Sequence, residues 1–207
     1  MREGRVARTA TWAVVGAVCG VAWAASFRAY MAEISGALSS VAWVGTFAAL
    51  LLPGLVIGVA LGASVPADGA RDRRALRWAA ASPVVFAVVP LMLPGALEDF
   101  LSQGLGGGAV AVGLGAIAGG YALGGGRRIW ARVASGLLAA ALVVAIAATV
   151  PAMGGNPLAL TTARGAWVTT LATTLLLVLF LAASIPFRRL ASARREHGTH
   201  DAGRRDR

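Results

Sequence analysis

The chain has 207 residues, 57% of them hydrophobic and 14% charged, with a mean hydropathy of +0.73. Apolar runs of this length exclude a soluble globular domain and a disordered chain, and leave a single integral membrane domain. The formal charge of +10 comes from 19 arginines and no lysine. These gather at the ends of apolar segments and in the two tails, where they set topology and meet anionic headgroups rather than nucleic acid.

In chain order, residues 1–9 read as a cytoplasmic N-terminal segment, residues 10–186 as a transmembrane domain of six helices, and residues 187–207 as a basic, disordered cytoplasmic tail. The first helix is expected over about 10–32. Arg2, Arg5 and Arg8 ahead of an apolar core resemble a secretory signal, with a possible cleavage site at Ala22-Trp23-Ala24. The apolar run continues past that site to membrane-spanning length, as an uncleaved helix would. Helix two is expected over 41–65, helix three over 75–96, helix four over 104–123, helix five over 129–151 and helix six over 165–186.

The arginines alternate. The N-terminus, the second and fourth loops and the C-terminus are arginine-rich, whereas the first, third and fifth loops hold Arg164 alone. By the positive-inside rule this places both termini in the cytoplasm of a bacterial plasma-membrane protein. Trp12, Trp78 and Trp130 fall at the inner ends of their spans and Trp43 and Trp167 at the outer ends, as interfacial aromatics do. Trp23 is the exception, deep in helix one, where core packing and the wall of a pocket are both open.

Lipid gives helices no hydrophobic reason to associate, so small residues that admit close backbone approach must carry the packing. Gly16 and Gly20 share a face of helix one, and Gly54, Gly58 and Gly62 a face of helix two. Gly115, Gly119, Gly120 and Gly124 line helix four. The ladder on helix two marks it as central, its partner being another helix of the chain, a second copy or another membrane protein. Pro53 in helix two and Pro83, Pro90 and Pro94 in helix three predict kinks.

The polar residues expected at the outer side are Arg28, Tyr30, Glu33, Glu98, Asp99, Gln103, Asn156 and Arg164. Trp23, Phe27 and Tyr30 are spaced four and three apart and share one helix face. With Arg28 they form a candidate ligand-binding wall, completed if Glu98 and Asp99 pair with Arg28 or Arg164. The alternative is solvated loop charges and a snorkelling arginine. No carboxylate falls in the middle of a span, which argues against proton-coupled transport and a carboxylate filter. Cys19 reads as a small packing residue. His197 and His200 read as solvated tail residues, so no metal is expected. Gly104-Leu-Gly-Gly-Gly and Gly113-Leu-Gly-Ala lack the strand that a dinucleotide loop needs, so no cofactor is expected either.

The segment Arg28-Ala-Tyr-Met-Ala-Glu-Ile-Ser-Gly36, followed by Trp43-Val-Gly-Thr46 and Pro53-Gly-Leu-Val-Ile-Gly58, resembles a pattern in small, mostly uncharacterised multi-pass membrane proteins of actinobacteria. The resemblance covers the first two helices and implies that Arg28, Met31, Gly45 and Thr46 belong to a shared element; it brings no activity with it. In size and span count the chain is also similar to small membrane terpene cyclases of bacterial natural-product pathways. That likeness would make Glu33, Glu98 or Asp99 a catalytic acid on a prenyl substrate, with Trp23, Phe27 and Tyr30 steadying cations. The sequence thus favours an all-α membrane bundle that binds a lipid-like small molecule in an outward-facing pocket or serves as an accessory subunit. An acid-catalysing enzyme and a small transporter are the alternatives. The expected partners are the bilayer, a lipophilic molecule and, through the glycine faces, a second copy or another membrane protein.

Overall fold

The computed structural model describes residues 2–36, 39–68, 71–92, 107–125 and 128–205, and the side chains among them except at 2, 90, 107 and 194–205. All the regular structure among them is helical: α1 (Arg2–Ser35), a π-helix (Trp43–Leu51) running into α2 (Leu52–Ala63), α3 (Arg73–Ala81), α4 (Val84–Leu91), α5 (Gly107–Gly124), α6 (Ile129–Gly154), a 3-10 turn (Asn156–Leu158) and α7 (Ala163–Arg205). Four stretches are long and apolar enough to cross a membrane: Glu3–Ser35, Trp43–Ala63, Ile129–Gly154 and Ala163–Ala193. Their outward surfaces carry Val14, Val18, Leu52, Leu137, Val144 and Leu181, all exposed. A surface of this kind is stable only against hydrocarbon or another apolar surface.

Helix two answers to the ladder of glycines, and its partner lies in the same chain. It runs antiparallel to α1, with Gly62 facing Trp12, Gly58 facing Gly16 and Gly54 facing Gly20. A methyl group built on Gly16 would fall on the Gly58 carbonyl, and one on Gly20 on the Gly54 carbonyl. The two backbones therefore touch directly, which only glycine allows. A second seam joins α5 to α7, here running parallel. Gly119 receives Phe180, Gly124 receives Phe187, and a methyl on Gly120 would stand 2.8 Å from the Ala183 backbone. The buried core between the seams holds Trp23, Phe86, Val112, Ala116, Leu176 and Phe180.

Pro53 and Pro83 disturb their helices where the sequence places them, whereas α4 runs on through Pro90 to Leu91 and Pro94 lies outside the described residues. Helix three is not continuous over 75–96: it breaks into α3 and α4 around Ser82 and Pro83, and residues 93–96 lie outside the described part. Pro83 has no N–H to give the Ala79 carbonyl. Ser82 replaces it, donating to that carbonyl from its backbone N–H (3.3 Å) and its hydroxyl (2.8 Å). Ahead of Pro53 the helix widens to π geometry, and the Leu52 N–H bonds to the Phe47 carbonyl five residues back. The helical structure also extends further than expected at both ends, since α1 begins at Arg2 and α7 continues through the basic tail to Arg205. Alanine- and arginine-rich sequence such as Arg188-Arg-Leu-Ala-Ser-Ala193 continues a helix at little cost.

The ends of the bundle differ in charge. At one end Arg5 forms a bidentate pair with Asp72, both oxygens 2.7 Å from the same nitrogen. The Arg132 Nε donates to the Ala122 carbonyl at 2.8 Å, and Gly124 packs beside the Arg188 backbone. These contacts collect Arg8, Arg71, Arg73, Arg74, Arg77, Arg128 and Arg189 there as well. Among the described residues, the opposite end holds Arg28 and Arg164.

The α1–α2 contact gives a direct test. Gly58→Ala is expected to lower stability in detergent by about 2 kcal/mol, the cost of forcing extra volume into a filled contact. Gly45→Ala, where nothing lies within 4 Å of the added methyl, is expected to leave the unfolding midpoint within error. Equal behaviour of the two variants would contradict the glycine seam.

Candidate functional site: an apolar cleft behind an aromatic column

Trp23, Phe27 and Tyr30 share the face that their spacing predicts, and that face turns into the bundle. Trp23 and Phe27 stack with ring centres 5.2 Å apart and planes 7° from parallel, and Phe27 and Tyr30 follow at 5.7 Å. Phe86 of α4 closes on Trp23 at 5.1 Å. Both ends of the column are anchored by hydrogen bonds. The Trp23 indole N–H donates to the Leu175 carbonyl of α7 at 2.8 Å. The Thr149 hydroxyl is committed to the Ile146 carbonyl at 2.6 Å, so the Tyr30 hydroxyl, 3.0 Å away, donates to Thr149. Trp23 is 9% exposed and Tyr30 3%. Most of this aromatic surface is packing that ties α1 to α4, α6 and α7.

Arg28 faces the chain that follows its own helix. It donates to the Ser39 hydroxyl at 3.1 Å and to the Ser40 carbonyl, and so fixes the turn into the π-helix. Glu33 pairs across the bundle with Arg164 at the start of α7, with one carboxylate oxygen 3.0 Å from Nε and 2.8 Å from a terminal nitrogen. Thr162 caps that helix start by accepting the Gly165 N–H at 3.0 Å. Glu98 and Asp99 lie outside the described residues. Of the seven candidate residues, the structure thus brings Trp23, Phe27 and Tyr30 into one column and sets Arg28 and Glu33 in separate polar contacts at the column's end. Acid catalysis needs a carboxyl group beside the aromatic faces, and Glu33 is instead engaged with Arg164.

On the other side of Trp23 lies a cleft that the sequence reading missed. It encloses about 300 Å³ between α1, α2 and α7, and its walls are almost wholly apolar. Cys19 and Gly20 of α1, Gly54 and Ile57 of α2, and Val178 and Ala182 of α7 form its walls. Trp23 and Phe86 line its end near the middle of the bundle, and Trp12, Val65 and Ile185 line its end toward the arginines. The same glycines that bring α1 against α2 create this space, because a pair of helices in backbone contact presents no side chains large enough to fill the groove beside them. The signal present in the sequence was the run of small residues Gly16, Cys19 and Gly20 opposite Ala182 of α7.

The fold and this cleft define an all-helical membrane-type bundle with an apolar cleft between three helices. No protein-family model, curated protein or solved structure matches the chain.

The polar contacts of Arg28 and Arg164 differ in kind. Arg28 is half-buried, and its removal loses two hydrogen bonds from a charged donor, to the Ser39 hydroxyl and the Ser40 carbonyl, at a cost of about 1.5–3 kcal/mol. Arg164 is 60% exposed, and such surface pairs contribute roughly 0–1 kcal/mol. Arg28→Ala is therefore expected to lower the melting temperature in detergent more than Arg164→Ala; equal shifts would count against this placement.

Proposed function

We propose that the protein is a six-pass membrane protein with both termini on the cytoplasmic side, and that it binds a lipophilic small molecule without transforming it. The observation that carries the binding reading is the cleft between α1, α2 and α7: concave, apolar and bounded by Trp23 at its inner end. Its volume reaches the lower limit of ligand pockets, roughly 300 Å³, which fits a single flexible chain rather than a bulky ring system. This places the bound molecule on the side of Trp23 away from Tyr30, in place of the outward-facing pocket that the sequence suggests.

Six passes follow if α3 with α4 makes one crossing and α5 another, beside the four longer helices. Arg73 to Leu91 and Gly107 to Gly124 each extend about 27 Å as helix, close to the roughly 30 Å of hydrocarbon. The clustering of arginines at the end marked by the Arg5–Asp72 pair supports the cytoplasmic assignment of that end.

Two measurements test these statements. In a Cys19→Ala background, a membrane-impermeant thiol reagent is expected to label Ser40→Cys and Thr161→Cys from outside intact cells and to leave Arg71→Cys unlabelled; the reverse pattern overturns the orientation. For binding, mass spectrometry of the purified protein is expected to find a lipophile retained by the wild type and lost in Val178→Trp, which fills the cleft from an exposed wall position. Equal retention by the two rules out the cleft as the site.

A further inference from the structure

The position of the cleft along the bundle says what kind of molecule enters it. On α1 it runs from Trp12 to Trp23, a helical distance of about 16 Å. This is half of the roughly 30 Å hydrocarbon thickness, the depth of one leaflet. On α7 the lining residues run from Val178 to Ile185, all on the Arg188 side of Leu176, which lies midway between Arg164 and Arg188. On α2 the lining begins at Gly54, midway along the segment from Trp43 to Val65, and ends at Val65. Three helices therefore agree that the cleft occupies the arginine-rich half of the bundle and stops near its middle.

Basic side chains continue the lining faces beyond the arginine-side end. On α1, Arg8 lies four residues before Trp12, on the face that continues through Val15 and Cys19. On α7, Arg188 and Arg189 follow Ile185 by three and four residues. All three are exposed. Arg5, one turn further out, is neutralised by Asp72, whereas the side chains of Arg8, Arg188 and Arg189 make no hydrogen bond or ion pair with a described residue. An apolar slot one leaflet deep, with guanidinium groups beyond its arginine-side end that pair with no described residue, matches a molecule with one long hydrocarbon chain and an anionic head. Guanidinium groups bind phosphate through paired N–H donors.

We propose that the cleft holds one acyl chain of an anionic glycerophospholipid from the arginine-side leaflet, with its phosphate held by Arg8, Arg188 and Arg189. The proposal rests on the cleft being the lipophile site. The chain enters sideways from the bilayer, so the headgroup stays at its normal depth and only one tail is transferred from lipid to protein. Selectivity then comes from the headgroup charge, since an apolar slot does not distinguish tails of similar length.

The experiment uses the full chain in neutral detergent micelles with a fluorescent phosphatidylglycerol as probe, competed by unlabelled phosphatidylglycerol, phosphatidylcholine or a polyprenyl phosphate. Wild-type protein is expected to bind one phosphatidylglycerol, with phosphatidylcholine competing weakly and binding falling as salt is raised. Each basic side chain near an anionic headgroup contributes roughly five-fold, so the triple variant R8Q/R188Q/R189Q is expected to bind about 100-fold more weakly. All three positions are exposed, and an unchanged melting temperature confirms that the variant folds. Unchanged affinity in the triple variant, with phosphatidylcholine competing equally and Val178→Trp abolishing binding, overturns the anionic lipid while sparing the cleft. Binding that survives Val178→Trp overturns both. A polyprenyl phosphate that displaces the probe at concentrations where phosphatidylglycerol does not overturns the assignment to a glycerophospholipid.

Discussion

The direct backbone contact between α1 and α2 is the constraint from which the rest of the molecule follows. Gly16, Gly20, Gly54, Gly58 and Gly62 leave no side chain between the two helices, and a methyl group at any of them would collide with its neighbour. In a medium that gives no hydrophobic drive, such contact provides dispersion energy that longer side chains cannot supply at this spacing. It fixes the antiparallel register of the first two spans, and further along the same face of α1 the residues from Trp23 to Tyr30 turn toward α4, α6 and α7. There Trp23 and Tyr30 place their polar atoms on Leu175 and Thr149. The same contact leaves the groove that becomes the cleft, so packing and the candidate site have a common origin.

The polar residues divide between the two ends of the bundle according to how far they can reach water. Arg28 is half-buried and turns back to the Ser39 hydroxyl and the Ser40 carbonyl. Glu33 and Arg164, closer to the surface, pair across helices with part of their surface still solvated. At the other end the Arg5 guanidinium pairs with Asp72. Under the proposed orientation the positive charge at that end faces the headgroup region, where it attracts anionic lipid.

Much of the architecture was legible in the sequence because hydropathy and glycine spacing are local signals. The four longest helices, the Gly54–Gly58–Gly62 ladder and the shared face of Trp23, Phe27 and Tyr30 all follow from periodicity alone. The direction of that face did not, since a column of rings reads the same whether it lines a pocket or packs a core; the Trp23–Leu175 bond, 152 residues apart, decides most of it. The partner of Arg164 was equally hidden, because Glu33 lies 131 residues away. The break in helix three needed the local accounting of the Ala79 carbonyl, which Pro83 cannot serve and Ser82 can. The cleft escaped notice because a void is defined by what small residues on three helices fail to fill, and no single run of sequence records that.

In the proposed function, α1, α2 and α7 surround a space for one hydrocarbon chain. Cryo-electron microscopy of the full chain in a lipid nanodisc, with bulk enlarged by a bound antibody fragment, tests it most directly. An elongated density running from Trp12 to Trp23 beside Cys19 and Val178, with its outer end toward Arg8 and Arg188, is expected. A closed groove, with Val178 and Ala182 packed onto Gly16 and Gly20 and no density between them, would contradict it.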